Sequence, residues 1–173
     1  MSFNNPTNID QTNPALFKLT FEKIPDVVYW SYSVNLPGVS LGEAIQPTPF
    51  LDLKIPGDKL VFDPLIINFI VQENLVNYIQ IFNWMVGLGH PESLQQYKDW
   101  NRSNSKNSPR QNRYSDATLF ILSNKSNPII KVNFFDVWPS NLSPLTYDAS
   151  ISDTTPISTD ATFNYTYYTI ESM

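Results

Sequence analysis

Residues 64–72 read PLIINFIVQ, with Leu65, Ile67, Phe69 and Val71 alternating against Ile66, Asn68, Ile70 and Gln72. Both alternating sets are largely apolar, so the segment fits a strand covered on both faces. It is far shorter than the ~18 apolar residues of a membrane-crossing helix. Immediately after it, Asn74 can cap a helix. Leu75, Tyr78, Ile79, Phe82, Met85 and Val86 then fall at the spacing of one helical stripe, and Ile81, Trp84 and Leu88 form a second apolar edge. Only Asn77, Gln80 and Asn83 are left as a polar remainder, and Gly87 and Gly89 end the helix. One face must pack on the chain's own sheet. The other is covered either by another subunit or by the segment that follows.

The rest of the chain supplies sheet around this unit. Residues 1–14, MSFNNPTNIDQTNP, read as a flexible arm. In Leu16 to Glu22, Phe17, Leu19 and Phe21 alternate with Lys18, Thr20 and Glu22, which predicts a half-buried strand. Ile24-Pro25-Asp26 reads as a turn and Val27 to Asn35 as the partner strand, giving a hairpin over 15–36. Leu36-Pro37-Gly38 ends it. Val39 to Asp63 carries Pro47, Pro49 and Pro56, which central strands exclude. This segment is an edge strand or an extended loop. Phe50, Leu51, Leu53 and Ile55 are too apolar for free loop, so they dock on the parent domain or on a neighbouring chain.

Residues 89–113 form a long polar insertion with Lys98, Arg102, Lys106, Arg110 and Arg113. Its first half, Pro91 to Trp100, fits a short helix held by Tyr97 and Trp100. The insertion is a contact arm toward acidic neighbours or a solvated loop. Ala117 to Ser123 and Ile129 to Val137 are strands, the second broken by Trp138-Pro139. Residues 140–160 are irregular, with Leu142, Leu145 and Tyr147 as inward contacts. Ala161 to Glu171 is a final strand. The expected fold is mainly β: an antiparallel sandwich or barrel of six to seven strands, with one central α-helix on one side, over residues 15–173 as a single domain.

Chemistry is sparse in this sequence. There is no cysteine and one histidine, His90, beside Pro91. That pattern offers no catalytic triad, no thiolate nucleophile and no zinc set. Asp58 and Asp63 flank turns, where carboxylates commonly cap backbone N–H groups. No catalytic residue, metal or cofactor is expected, and no membrane insertion by this chain. The net charge is −5. Residues 1–131 balance, whereas Asp136, Asp148, Asp153, Asp160 and Glu171 lie in a C-terminal stretch without Lys or Arg. Such a surface disfavours sequence-specific nucleic-acid binding. The low charge suits repeated protein contacts, or simply a polar uncharged surface.

The order of these pieces resembles the tail tube family of contractile-tailed bacteriophages. The resemblance is carried by Leu36-Pro37, by Ile55-Pro56-Gly57-Asp58, by Asp63 to Phe69, by Asn77-Tyr78 and Phe82-Asn83-Trp84, by Val137-Trp138-Pro139, by Leu145 to Asp148 and by Thr162 to Thr169. It extends to the tube-like domains of baseplate proteins that initiate the tube. It implies a structural virion protein, built into a hexameric ring that stacks into the inner tail tube, with sheath and baseplate proteins as neighbours. DNA would pass only as non-specific cargo, and the particle would be assembled in the bacterial host cytoplasm. On that reading, Phe50, Leu51, Leu53, Ile55, Asp58, Ile81, Trp84 and Leu88 are candidate subunit contacts. Asp136, Asp148, Asp160 and Glu171 are candidate channel-facing acids. The alternatives are a baseplate initiator or tail-end ring of the same fold and, from another class, a carbohydrate-binding β-sandwich.

Overall fold

The computed structural model describes residues 10–103, 113–150 and 155–173. Most of the predicted arm and the second half of the polar insertion lie outside the described residues. The elements are, in order, β1 (Phe17–Phe21), α1 (Pro25–Trp30), β2 (Ser31–Val34), β3 (Val39–Gln46), β4 (Leu53–Phe62), β5 (Leu65–Ile70), α2 (Val76–Gly89), α3 (Leu94–Ser103), β6 (Ser115–Leu122), β7 (Pro128–Leu142), β8 (Ser158–Asn164) and β9 (Tyr167–Ser172).

One strand makes two sheets out of this set. The first part of β7 pairs with β6, which pairs with β1, and on its other side with β9. The last part of β7 pairs with β8, which continues to β5 and β2. The strand bends between the two at Asp136, whose φ is 56°. A left-handed residue inside a strand re-aims the chain, which is how one strand turns a sandwich corner. Trp138-Pro139 therefore does not end the strand. It sits just past the bend, where β7 changes sheet and runs on to Leu142.

The core lies between the sheets. Leu19, Ala117, Leu119, Val132 and Phe134 come from one; Leu65, Ile67, Phe69, Ala161 and Phe163 come from the other. Register explains the selection: Leu65 lies opposite Phe163 and Ile67 opposite Ala161, so the inward positions of β5 and β8 coincide. Full burial of such side chains contributes about 1.5–3 kcal/mol each. Val27, Ile81 and Trp84 from the helices, and Ile24 just ahead of α1, pack into the same core.

Several expectations change. The fold is mainly antiparallel β as expected, but among the described residues there are nine strands and three helices rather than six or seven strands and one helix. The 15–36 hairpin does not form. β1 pairs with β6, and β2 pairs with β5. Between them, residues 25–30 are helical, with Pro25 in the first turn and Val27 fully buried. Proline costs nothing there, because the first N–H groups of a helix have no partner in any case. The final strand is also two strands, interrupted at Tyr165-Thr166. Tyr147, expected inside, is exposed. The polar insertion does carry a helix, α3, displaced toward its C-terminal side.

α2 turns its other edge inward. Asn77, Ile81, Trp84 and Gly87 are its buried residues, whereas Val76, Ile79 and Phe82 are exposed. Asn77 accounts for the rotation. Its side-chain N–H donates to the Ile70 carbonyl at 2.8 Å, and its Oδ1 accepts from the Gln72 N–H at 3.2 Å. The amide thus satisfies backbone groups where β5 ends, as a buried polar group must. At the other end of this edge, the Trp84 indole N–H donates to the Arg113 carbonyl at 3.2 Å.

Candidate functional site: a free-standing hairpin and the surfaces around it

β3 and β4 pair only with each other. Every residue of β3 is exposed, and in β4 only Gly57 and Phe62 are less so. Apart from Phe62 at the root, the apolar side chains are therefore presented on a ribbon that leaves them exposed. Val39, Leu41, Ile45, Leu53, Ile55, Leu60 and Val61 are all exposed, and Phe50 at the tip is 99% exposed. A two-stranded ribbon alone is marginal in water. Local features hold this one in shape. Lys54 and Glu43 form an ion pair at 3.1 Å across the strands. The Thr48 hydroxyl and the Leu51 backbone hydrogen-bond to each other within the tip. The register shifts between Leu41 and Glu43. At that bulge Gly57 passes so close to Gly42 that a Cβ would stand 2.6 Å from the Gly42 carbonyl oxygen. Only glycine fits such an approach.

The root of the hairpin is built differently. Phe62, Phe134, Tyr165 and Tyr168 form an aromatic cluster, with ring centroids 5.2–6.1 Å apart in the packed pairs. These separations suit tilted and edge-to-face aromatic packing. The two strands also join there, through the Asp63 N–H donating to the Gly38 carbonyl at 3.0 Å.

The predicted contact residues divide. Phe50, Leu51, Leu53, Ile55 and Asp58 all lie on the hairpin and are exposed. Ile81 and Trp84 do not belong with them: both are fully buried, Trp84 against Phe163 with a ring separation of 6.3 Å. Leu88 is half-buried beside α3, in a cleft of about 410 Å³ that also takes in His90, Leu94, Tyr97 and Trp138. The segment after α2 thus covers that end of the helix. The exposed apolar side of α2 is Val76, Ile79 and Phe82, and Tyr29, Trp30 and Tyr32 of α1 and β2 are exposed as well. Sequence periodicity contained both edges of α2 but could not order them.

The four acids do not gather on one face. Asp136 is at the β7 bend, where its Oδ2 accepts from the Thr166 hydroxyl at 3.4 Å. Asp148 is in the loop after β7 and accepts from the Ser150 N–H and hydroxyl, which hold its carboxyl below the usual range. Asp160 alternates outward on β8, opposite Asn68. Glu171 lies on β9 opposite Lys131. Around Asp160, the outward positions of β5 and β8 are Ile66, Asn68 and Ile70 beside Ser158, Thr162 and Asn164, a mixed surface without Lys or Arg. Among the described residues, no group of His, Asp and Glu could hold a metal ion, and no helix is long and apolar enough to cross a membrane.

No family model matches the chain. Over 143 residues, 80% of this chain and 75% of the relative, it is 29% identical to the tail tube terminator protein of Enterobacteria phage T4. The fold is shared with the tube-terminating cap of the anti-feeding prophage, at a TM-score of 0.59 and 12% identity over 98% of this chain and 97% of that one. The chain is thus similar to tail-tube-related proteins in both sequence and fold. The same tail-tube-related fold appears in the sheath/tube terminator of an extracellular contractile injection system, at a TM-score of 0.55 and 17% identity over 95% and 99% of the two chains. The role of the tail-tube-related chain is structural rather than enzymatic.

Proposed function

We propose that this chain is a tail tube terminator. Copies close into a hexameric ring that seats on the end of an inner tail tube in a contractile-tailed virion and leaves its channel open to DNA. The observation that carries the reading is the free-standing hairpin. An arm whose apolar side chains beyond Phe62 are exposed is completed by a neighbouring copy, and burying such residues drives association. The open edges of β1, β2 and β9 offer the backbone pairing through which rings of this kind can close. Successive copies meet through unlike surfaces, with a rotation per copy that closes into a ring rather than running on as a filament. The 29% identity to a terminator favours that role over a repeating tube subunit or a baseplate initiator. Partners are then other copies of the chain, the last tube ring and the sheath.

The channel wall is assigned to the outward face of β5 and β8. It carries Ile66, Asn68, Ile70, Ser158, Asp160, Thr162 and Asn164 and no basic side chain. Phosphates pass such a wall without being held, because they meet an acid and uncharged groups rather than counter-charges. Of the four predicted acids, only Asp160 has this placement.

Negative-stain microscopy and mass photometry of the purified protein test the assembly. The expected species is a single ring with a mass six times the 19.8 kDa of one chain. Added to growing tubes, it should stop their extension. Unlimited polymerisation of the chain alone would instead identify a tube subunit. A strict monomer that neither closes nor binds tube ends would remove the proposal.

A further inference from the structure

The hairpin leaves the domain through two short segments, 35–38 and 62–64, and side chains from the far end of the sequence hold both. The Tyr165 hydroxyl donates to the Asp63 carbonyl at 2.7 Å, on the returning arm. The Tyr168 hydroxyl donates to the Pro37 carbonyl at 3.1 Å, on the outgoing arm. The rings of the same two tyrosines pack on Phe134, which is fully buried in the core, and on Phe62, the last residue of β4. Each tyrosine is thus fixed by its ring to the domain and by its hydroxyl to one arm. Burial pushes the Tyr165 phenol up to about 12, which keeps it a hydrogen-bond donor throughout the neutral range.

Packing alone does not need these hydroxyls. Phenylalanine at both positions would keep the ring contacts and most of the buried area. What it would lose is one directional bond to each arm. Two bonds to two arms from one rigid cluster constrain the angle of the ribbon, whereas ring contacts at its base leave it free to rock.

We propose that Tyr165 and Tyr168 are positioning residues for assembly, whose hydroxyls set the direction in which the β3–β4 hairpin leaves the domain. The link from direction to assembly rests on the function proposed above; the link from hydroxyls to direction does not.

The absence of native cysteine allows a clean test. Cysteines replacing Gln46 near the hairpin tip and Lys125 in the β6–β7 turn, both exposed, carry spin labels in the full-length chain. Pulsed dipolar spectroscopy reads the distance between them. The parent should give one narrow distribution. Y165F/Y168F should broaden it to at least about twice the parental width, as for a segment released to move like a loop, with little change in the thermal midpoint and a loss of rings. The single variants, each retaining one bond, should give intermediate widths, so the outcome does not hang on the double variant folding. Unchanged widths in all three variants overturn the inference whatever the ring yield. Broadening with undiminished ring formation overturns the link to assembly, and with it the hairpin's part in the proposed function.

Discussion

The orientation of α2 makes the sharpest stability prediction, because neighbouring aromatic residues on one helix should behave oppositely. Trp84 is 0% exposed, whereas Phe82 is 52% exposed. The Trp84 ring packs on Phe163, carries the Lys23 ammonium 5.2 Å from its centroid and donates its N–H to the Arg113 carbonyl. Trp84→Ala removes the largest fully buried side chain among the described residues and leaves that carbonyl without its donor. Truncations of this kind cost about 3–5 kcal/mol, cavity included. At the 2–4 °C per kcal/mol usual for a domain of this size, the thermal midpoint should fall by roughly 6–20 °C. Phe82→Ser removes a side chain that is half in solvent and should cost no more than about 1 kcal/mol. Urea titrations followed by far-UV circular dichroism give both values without relying on tryptophan fluorescence. Comparable losses for the two variants, or a larger loss for Phe82→Ser, would refute the packing of α2. If Phe82 lies in a subunit contact, its substitution should lower ring yield at unchanged monomer stability.

Three other perturbations follow from single contacts. Asn77→Ala leaves the Ile70 carbonyl and the Gln72 N–H without their side-chain partner, and an orphaned buried group costs about 1–3 kcal/mol; a loss below about 0.5 kcal/mol in urea titration would contradict its place in the core. Gly57→Ala puts a methyl group against the Gly42 carbonyl, so it should distort the hairpin and reduce ring yield while the domain melts near the parental temperature, with parental ring yield as the opposing result. For Lys23, desolvation lowers the ammonium pKa to about 8 from 10.5 despite the nearby Glu22. Below pH 8 both folded and unfolded chains carry the charge. Between the two values the unfolded chain binds more protons, so stability rises with pH there. The urea midpoint of the parent should therefore gain on that of Lys23→Met from pH 8 to 10.5, and a constant gap would disprove the shift.

Much of the architecture could be read from local pattern. The alternation of Leu65, Ile67 and Phe69 against Ile66, Asn68 and Ile70 gave β5 its place between two coverings. β6 and the first part of β7 announced themselves by apolar runs around a Ser/Asn turn. α1 escaped because Val27-Val28-Tyr29-Trp30 has the composition of a strand; the competing signal was Pro25, set where a first helical turn accepts it. The partner of β1 is β6, which begins only at Ser115, and periodicity carries no information on that choice. In α2 the two apolar edges are nearly equal, and Asn77 decides between them only through backbone groups at the end of β5. The exposed residues of the hairpin were visible as an apolar excess in a proline-rich segment. Its root was not, because the Tyr165 and Tyr168 hydroxyls look, in sequence, like ordinary strand tyrosines.

The distance along the chain between the hairpin and the residues that hold its root also bears on when a copy becomes competent. Tyr165 is 102 positions from its partner and Tyr168 is 131 from its own. A ribosome adding about 5–20 residues per second exposes the apolar ribbon for roughly 5–20 s before either tyrosine is made. During that interval the arm exists without an aim. Only docking of the last two strands supplies one, so finishing translation acts as a timer. In the ring assembly proposed above, that timer separates the folding of each copy from its recruitment by others, and keeps half-made chains on one polysome from seeding rings.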